Sequence, residues 1–378
     1  MTFEAILRNV GTKSEWIRDT LHELVQQESP SEDRQAVNAA MTLAEHWARE
    51  QGARIKRHKQ REFGDVLELR FGQSRSKQKP ILLLGHLDTV WPIGTLKKMP
   101  WRVTDGRYWG PGVLDMKAGV VMALAALSTL REMKLFRPVT LLLNSDEEVG
   151  SPISRAITER LARESAAVLV LEPAQGLAYK TARKGVGQYH VEVTGVGAHS
   201  GVDFEKGHSA VLELAKLIQT IANFTNLARK LTVNCGVIAG GTRSNVVASQ
   251  AWTEVDVRIA KARDAAYVEK LFRDLKVSDP DCKLTITGCI NRPPMERKAG
   301  TIALFKKARS LAAEFGFVLE EAATGGGSDG NFTAALGVPT LDGMGAVGDG
   351  AHAAHESVVI EHLVPRTALL AAMIASVE

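Results

Sequence analysis

The chain has 378 residues, and at roughly 150 residues per domain that length allows two or three domains and a large core, which excludes a minimal scaffold stapled by disulfides or metals. With 45% hydrophobic and 24% charged residues the composition is globular, so disorder, collagen and coiled coil lose their support. The 47 Lys and Arg exceed the 43 Asp and Glu by four, too small a surplus over this length to point to nucleic acid or a membrane surface.

The first 60 residues read as helical, with Ile6, Val10, Trp16, Ile17, Leu21 and Leu24 near helical spacing, then a second segment from Glu32 to Glu50 closed by Gly52, with Pro30 between them. The pattern then changes to short apolar runs, each followed by a polar cluster: Ile81–Leu84 before His86, Val139–Leu143 before Asn144 to Glu148, and Val168–Leu171 before Glu172. Continuous apolar runs suit strands buried on both faces, and the alanine-rich helix expected over Ala118–Glu132 makes the order β-α-β, hence an α/β fold with a mostly parallel sheet flanked by helices. Between about Arg183 and Asn291, apolar residues alternate with polar ones, as at Tyr189, Val191 and Val193 and at Val255, Val257 and Ile259. That alternation fits half-exposed antiparallel strands, and helices expected over Ser209–Asn226 and Asp264–Leu275 complete a β-α-β-β-α-β order. The expected organisation is a catalytic domain over 1–182, an inserted α+β ferredoxin-like domain over 183–291, and the rest of the catalytic domain over 292–378.

Cys235, Cys282 and Cys289 are odd in number, widely spaced and lack a CxxC pair, so they read as reduced thiols and poor zinc ligands. Charged residues from Glu4 to Asp19 interrupt any signal-peptide core, and no stretch is expected to supply the roughly 20 apolar residues of a membrane span. A soluble cytoplasmic protein with no nucleic-acid or membrane partner is the expectation. The basic run Arg54–Arg61 lacks interleaved aromatics and is expected to be a solvated edge strand or loop.

His86, Asp88, Glu147, Glu148 and Glu172 all fall just past the carboxyl ends of expected parallel strands, where ligands of open α/β sheets bind. Asp115 belongs with them on a turn-rich approach to the 118–132 helix, and His352 follows the glycine-rich stretch Gly343–Gly350. Each alone is more often a cap or turn residue. Together, imidazoles and carboxylates without thiolate suit zinc, manganese or cobalt and suggest a dinuclear hydrolytic centre.

The motifs GHLDTVWP (85–92), GPGVLDMKAG (110–119), NSDEEVGS (144–151), LEP (171–173) and HAAHE (352–356) resemble those of the M20 metallopeptidases. That group includes glutamate carboxypeptidase, acetylornithine deacetylase, succinyl-diaminopimelate desuccinylase and aminoacylase, and TARKG (181–185) is similar to the glutamate carboxypeptidase branch. The resemblance implies a zinc-exopeptidase-like catalytic domain, an inserted lid through which a homodimer forms, and two divalent metal ions, zinc first, with cobalt or manganese as alternatives. It implies His86 and Glu172 on one metal, Glu148 and His352 on the other, Asp115 bridging, and Glu147 as the general base acting on a water between them. Asp88 matches the family's acid behind the metal-binding histidine, and is expected to accept the other N–H of His86.

GVGAHSG (195–201) resembles the family's lid histidine motif, which implies that His199 reaches an active site, usually the partner's, and donates to the carbonyl oxygen. Arg258 and Asn245, in EVDVR (254–258) and GGTRSN (240–245), resemble the pair that binds a free substrate carboxylate. Gly327 and Ser328, in Gly325–Gly330, resemble a substrate-proximal glycine loop, and Trp91, Trp109 and Phe332 are expected to line the acyl side. The implied activity is cleavage of a peptide or N-acyl amide bond beside a free carboxylate, by a carboxypeptidase releasing an amino acid such as glutamate. The alternatives are an N-acyl-amino-acid deacylase and a catalytically inactive binding protein of the same fold.

Overall fold

The apolar runs form the centre of a six-stranded sheet in a computed structural model, which describes residues 3–72, 78–135 and 137–377. The chain divides into two compact units, one of Met1–Ala182, Arg297–Ala323 and Ser328–Glu378, the other of Arg183–Glu296 and Thr324–Gly327.

In the first unit the strands lie in the order Arg54–His58, Val66–Phe71, Val139–Asn144, Ile81–His86, Ala167–Val170 and Thr340–Leu341. The last four run parallel, and the first two are antiparallel additions at one edge, so the sheet is mixed. The basic run supplies the edge strand Arg54–His58. Side chains alternate between two apolar layers: Ile81 and Leu83 face the larger core, while Leu82 and Leu84 face a smaller one with Leu161 and Ala162 of the Arg155–Glu164 helix. Burying one such leucine contributes about 1.5–3 kcal/mol.

The Ala118–Glu132 helix is buried almost all round, packed by the Phe3–Gly11, Ser14–Gln26 and Leu363–Ser376 helices. One expectation is corrected here: the segment Val113–Glu132 is long and apolar enough to cross a membrane, yet 89% of its most apolar 18 residues are buried inside the protein, as a core helix requires.

The second unit has four antiparallel strands in the order Thr232–Gly240, Gln250–Ile259, Gly185–Thr194 and Lys283–Arg292. The Ala210–Ala222 and Asp264–Arg273 helices connect them, giving a ferredoxin-like order in which the first and third strands are central. Tyr189 stacks on Phe272 with ring centres 3.9 Å apart, over a core of Val191, Val193, Leu214, Leu217, Val255 and Val257.

Candidate metal centre

Parallel pairing brings the ends of three strands together. His86 closes its strand opposite Asn144, the turn Glu147–Val149 follows directly, and Glu172 lies two residues past Val170, which ends the strand on the other side. Asp115 sits in the Val113–Lys117 turn, whose backbone leaves helical geometry at Asp115 and Met116 across a cis peptide bond. The helix behind it starts close to the sheet: a Cβ on Gly119 would meet the Leu171 carbonyl oxygen at 2.1 Å, so only glycine fits. A small second sheet, not foreseen from the sequence, orders Gly348–Asp349, Ser357–Val359, Arg107–Trp109 and Arg102–Thr104. Ser357 pairs with Trp109, so the loop carrying His352 is tied to the approach of Asp115.

His86, Asp115 and Glu172 form one set whose ligand atoms lie within 4.8 Å of one another; Asp115, Glu148 and His352 form another. Asp115 belongs to both. Its Oδ1 is 3.3 Å from His86 Nε2 and its Oδ2 is 3.4 Å from His352 Nε2. Glu172 Oε1 lies 3.6 Å from His86 Nε2, and Glu148 Oε2 lies 3.2 Å from His352 Nε2. Three buried atoms here, His86 Nε2, Asp115 Oδ1 and Glu148 Oε1, have no hydrogen-bond partner. Buried polar atoms are normally paired, and unpaired ones converging from imidazole and carboxylates fit a divalent cation in each set.

The electrostatics are those of tightly coupled acid and imidazole groups. Burial alone would lower the His86 pKa, but Asp115, Asp88 and Glu172 outweigh it and hold it well above its ordinary value. Asp115 and Glu148 raise His352 to about 10, against the effect of burial. Burial also pushes up on Asp115, yet His352 and His86 hold it far below the usual carboxylate range. Burial raises Glu148 to about 7. Cation uptake requires neutral imidazole, so it displaces the protons these pairs share.

Asp88 is placed differently from the expectation. The hydrogen bond to His86 Nδ1, 2.9 Å long, is made by the backbone carbonyl of Asp88, while its nearer carboxylate oxygen is 3.5 Å away. The fully buried carboxylate accepts instead from Glu147 N (3.2 Å), Glu148 N (3.1 Å) and the Ser31 hydroxyl (2.7 Å). It anchors the turn that carries the expected base and one expected ligand. The aromatic expectation is corrected for Phe332 alone. Phe332 is buried, with the Arg155 guanidinium over its ring; Trp109 lies under Arg102 in the small sheet; and the Trp91 indole donates to Glu356. Glu356 is a buried acid that the sequence marked only as the last residue of the motif HAAHE.

Ser328 is buried in the first unit, where its hydroxyl donates to Asp342 (2.6 Å), just past the Thr340–Leu341 strand, and its N–H to Asn331 (3.0 Å), so both groups are engaged within the protein rather than presented to a substrate. Gly327 belongs to the second unit, where the Arg183 guanidinium donates to its carbonyl at 2.9 Å.

In that unit His199 and Asn245 are exposed neighbours: His199 bridges Val246, and Ser200 N donates to the Asn245 carbonyl. Arg258 is held by Asp256 through Nε (2.9 Å) and Nη2 (2.8 Å). Asn245 lies beyond the Gln250 end of the Gln250–Ile259 strand and Arg258 near the other, so about 25 Å of extended chain separates them. The expected pair therefore does not meet on one carboxylate within a single chain. A third group, His208, Asp279 and Asp281, also lies in this unit. Both ring nitrogens of His208 face carboxylates, at 2.8 and 3.5 Å.

Residues 82–376 match the profile of Peptidase family M20/M25/M40. The chain is 31% identical to carboxypeptidase G2 of Pseudomonas sp. (strain RS-16) over 365 residues, covering 93% of this chain and 87% of that protein. It is 31% identical to a succinyl-diaminopimelate desuccinylase of Corynebacterium glutamicum over 207 residues, 50% of this chain and 54% of that one. The fold is similar to the crystal structure of aminopeptidase PepT from Bacillus cereus, with a TM-score of 0.79, 22% identity, and coverage of 96% of this chain and 98% of that chain.

Proposed function

The chain belongs to peptidase family M20/M25/M40 and is a metal-dependent hydrolase, and on that premise we propose that it is a carboxypeptidase that releases a C-terminal amino acid such as glutamate from a small peptide. The observation that carries the reading is Asp115, whose two oxygens each face a different imidazole. His86 and Glu172 would hold one divalent cation, Glu148 and His352 a second, and Asp115 both, with zinc as the first choice and cobalt or manganese as substitutes. The bound cations supply Lewis acidity toward a water and the scissile carbonyl.

The chain's own residues do the remaining work. Glu147, anchored through its N–H to Asp88, takes the proton of the attacking water and hands it to the leaving amine. His199 donates to the carbonyl oxygen as it gains charge. Arg258, its fork oriented by Asp256, attracts the substrate's free carboxylate, and Asn245 serves the same end from a second copy of the chain. Such a homodimer would form through the second unit, whose edge strand Thr232–Gly240 exposes Val237 (51%) and Ile238 (63%). The three free cysteines suit a reducing compartment, and the cytoplasm is the proposed location.

The likeness to carboxypeptidase G2 across 93% of the chain favours peptide substrates; the likeness to a desuccinylase over half of it supports an N-acyl-amino-acid deacylase as the second reading. The test compares kcat/KM of the metal-loaded enzyme on dipeptides and folate-like conjugates ending in glutamate with N-acetyl and N-succinyl amino acids. Faster turnover of the first group is expected; faster turnover of the acyl amino acids would replace the carboxypeptidase reading with the deacylase one.

A further inference from the structure

Glu356 lies outside both ligand sets, yet every bond its carboxylate makes goes to a segment that carries or precedes a ligand. It is 1% exposed. One oxygen, Oε1, accepts the N–H groups of Leu114 (2.8 Å) and Asp115 (3.0 Å). The other, Oε2, accepts Gly112 N (2.8 Å) and the Trp91 indole N–H (2.7 Å). Gly112 has φ +69°, a left-handed conformation that folds the successive N–H groups around the anion as a nest. The backbone carbonyl of Glu356 accepts from Gly110, and its N–H donates to Ala353 within the turn that holds His352. Its chain neighbour Ser357 pairs with Trp109 in the small sheet. A single carboxylate thus knots together the 85–92, 110–119 and 352–356 segments.

Burying an anion is costly unless its hydrogen-bonding capacity is filled, and here four donors fill it. The Asp115 N–H is one of them, so the carboxylate fixes the backbone from which that side chain projects. We propose that Glu356 is the positioning residue of the metal centre, aiming Asp115 so that its two oxygens face His86 and His352 at once. This rests on the reading of Asp115 as a shared ligand. Glutamine at 356 keeps the size but has a single acceptor oxygen, and its NH2 would face N–H donors.

The test is titration of the metal-free full chain with Co2+, followed by visible absorption and chelator competition, with thermal unfolding of the metal-free proteins in parallel. Wild type is expected to take up two equivalents. Glu356→Gln is expected to bind Co2+ about 10–100-fold more weakly, with an altered absorption band. Trp91→Phe deletes one donor and leaves the carboxylate with its three backbone partners, so a smaller loss in the same direction is expected; this variant decides the matter if Glu356→Gln does not fold. Wild-type affinity and spectrum in the folded variants would overturn the assignment of Glu356 while leaving Asp115 as a ligand. Failure of wild type to take up Co2+ would instead remove the shared-ligand reading, and this proposal with it.

Discussion

Replacing Asp88 by asparagine separates two functions that one residue performs with different atoms. The backbone carbonyl, which receives His86 Nδ1 at 2.9 Å, survives the substitution, while the carboxylate that accepts Glu147 N, Glu148 N and the Ser31 hydroxyl becomes an amide. With the amide oxygen retained toward Glu148 and Ser31, the NH2 faces Glu147 N, so the part-buried N–H of Glu147 loses this acceptor and the new NH2 meets a donor. That costs about 1–3 kcal/mol. Melting should fall by a few degrees. Loss of the anchor should lower kcat by about 10–100-fold, as is typical when a group supporting a metal site is removed. The assay is steady-state kinetics at saturating metal, with Co2+ titration in two backgrounds. In His352→Ala, where only the His86 and Glu172 side can take a cation, Asp88→Asn should have the smaller effect, that of losing a charge 3.5 Å from His86 Nδ1. In His86→Ala, where the Glu148 side remains, it should weaken affinity. The opposite pattern would refute the reasoning and restore the carboxylate as the support of the imidazole.

Three further outcomes are expected. Glu147→Ala should keep both equivalents of metal while kcat falls about 10²–10⁴-fold, and turnover at the wild-type rate would remove Glu147 as the base. In the second unit, burial pulls the Glu213 carboxyl up, but Lys216 and the hydroxyl and N–H of Ser278 outweigh it and hold it at about 2, below its ordinary value of 4.5. Because the folded value is depressed, its contribution to stability is present above pH 4.5 and lost as the pH falls toward 2; Glu213→Gln should therefore flatten the acid limb of an unfolding titration followed by near-UV circular dichroism, and an identical limb would contradict this. Ile238→Lys puts a charge on the exposed edge strand and should convert a wild-type dimer to monomer by light scattering; a dimeric variant would move the interface elsewhere.

Much of the fold was legible because its central strands are buried on both faces and read as unbroken apolar runs. Ile81–Leu84 and Val139–Leu143 fall within the observed strands Ile81–His86 and Val139–Asn144. Parallel pairing then gathers His86, Glu148 and Glu172, which follow those runs, while Asp115 and His352 could be grouped with them only from their turn-rich surroundings and motifs. The small sheet was not legible, since strands of two or three residues carry no periodicity. The role of Glu356 and the actual partners of the Asp88 carboxylate were not legible for a related reason: those partners are mainly backbone N–H groups, which every residue but proline has and no motif marks. The pairing of Arg258 with Asp256 was within reach, because residues two apart on a strand share a face. The separation of Arg258 from Asn245 needed the strand direction, which composition does not give.

The central claim is that Asp115 serves two cations at once. Anomalous diffraction from crystals of the full chain soaked with Zn2+ tests it most directly. Two peaks are predicted, one against His86 and Glu172 and one against Glu148 and His352, with an oxygen of Asp115 on each. A single peak, or two peaks with Asp115 turned away from either, would contradict it.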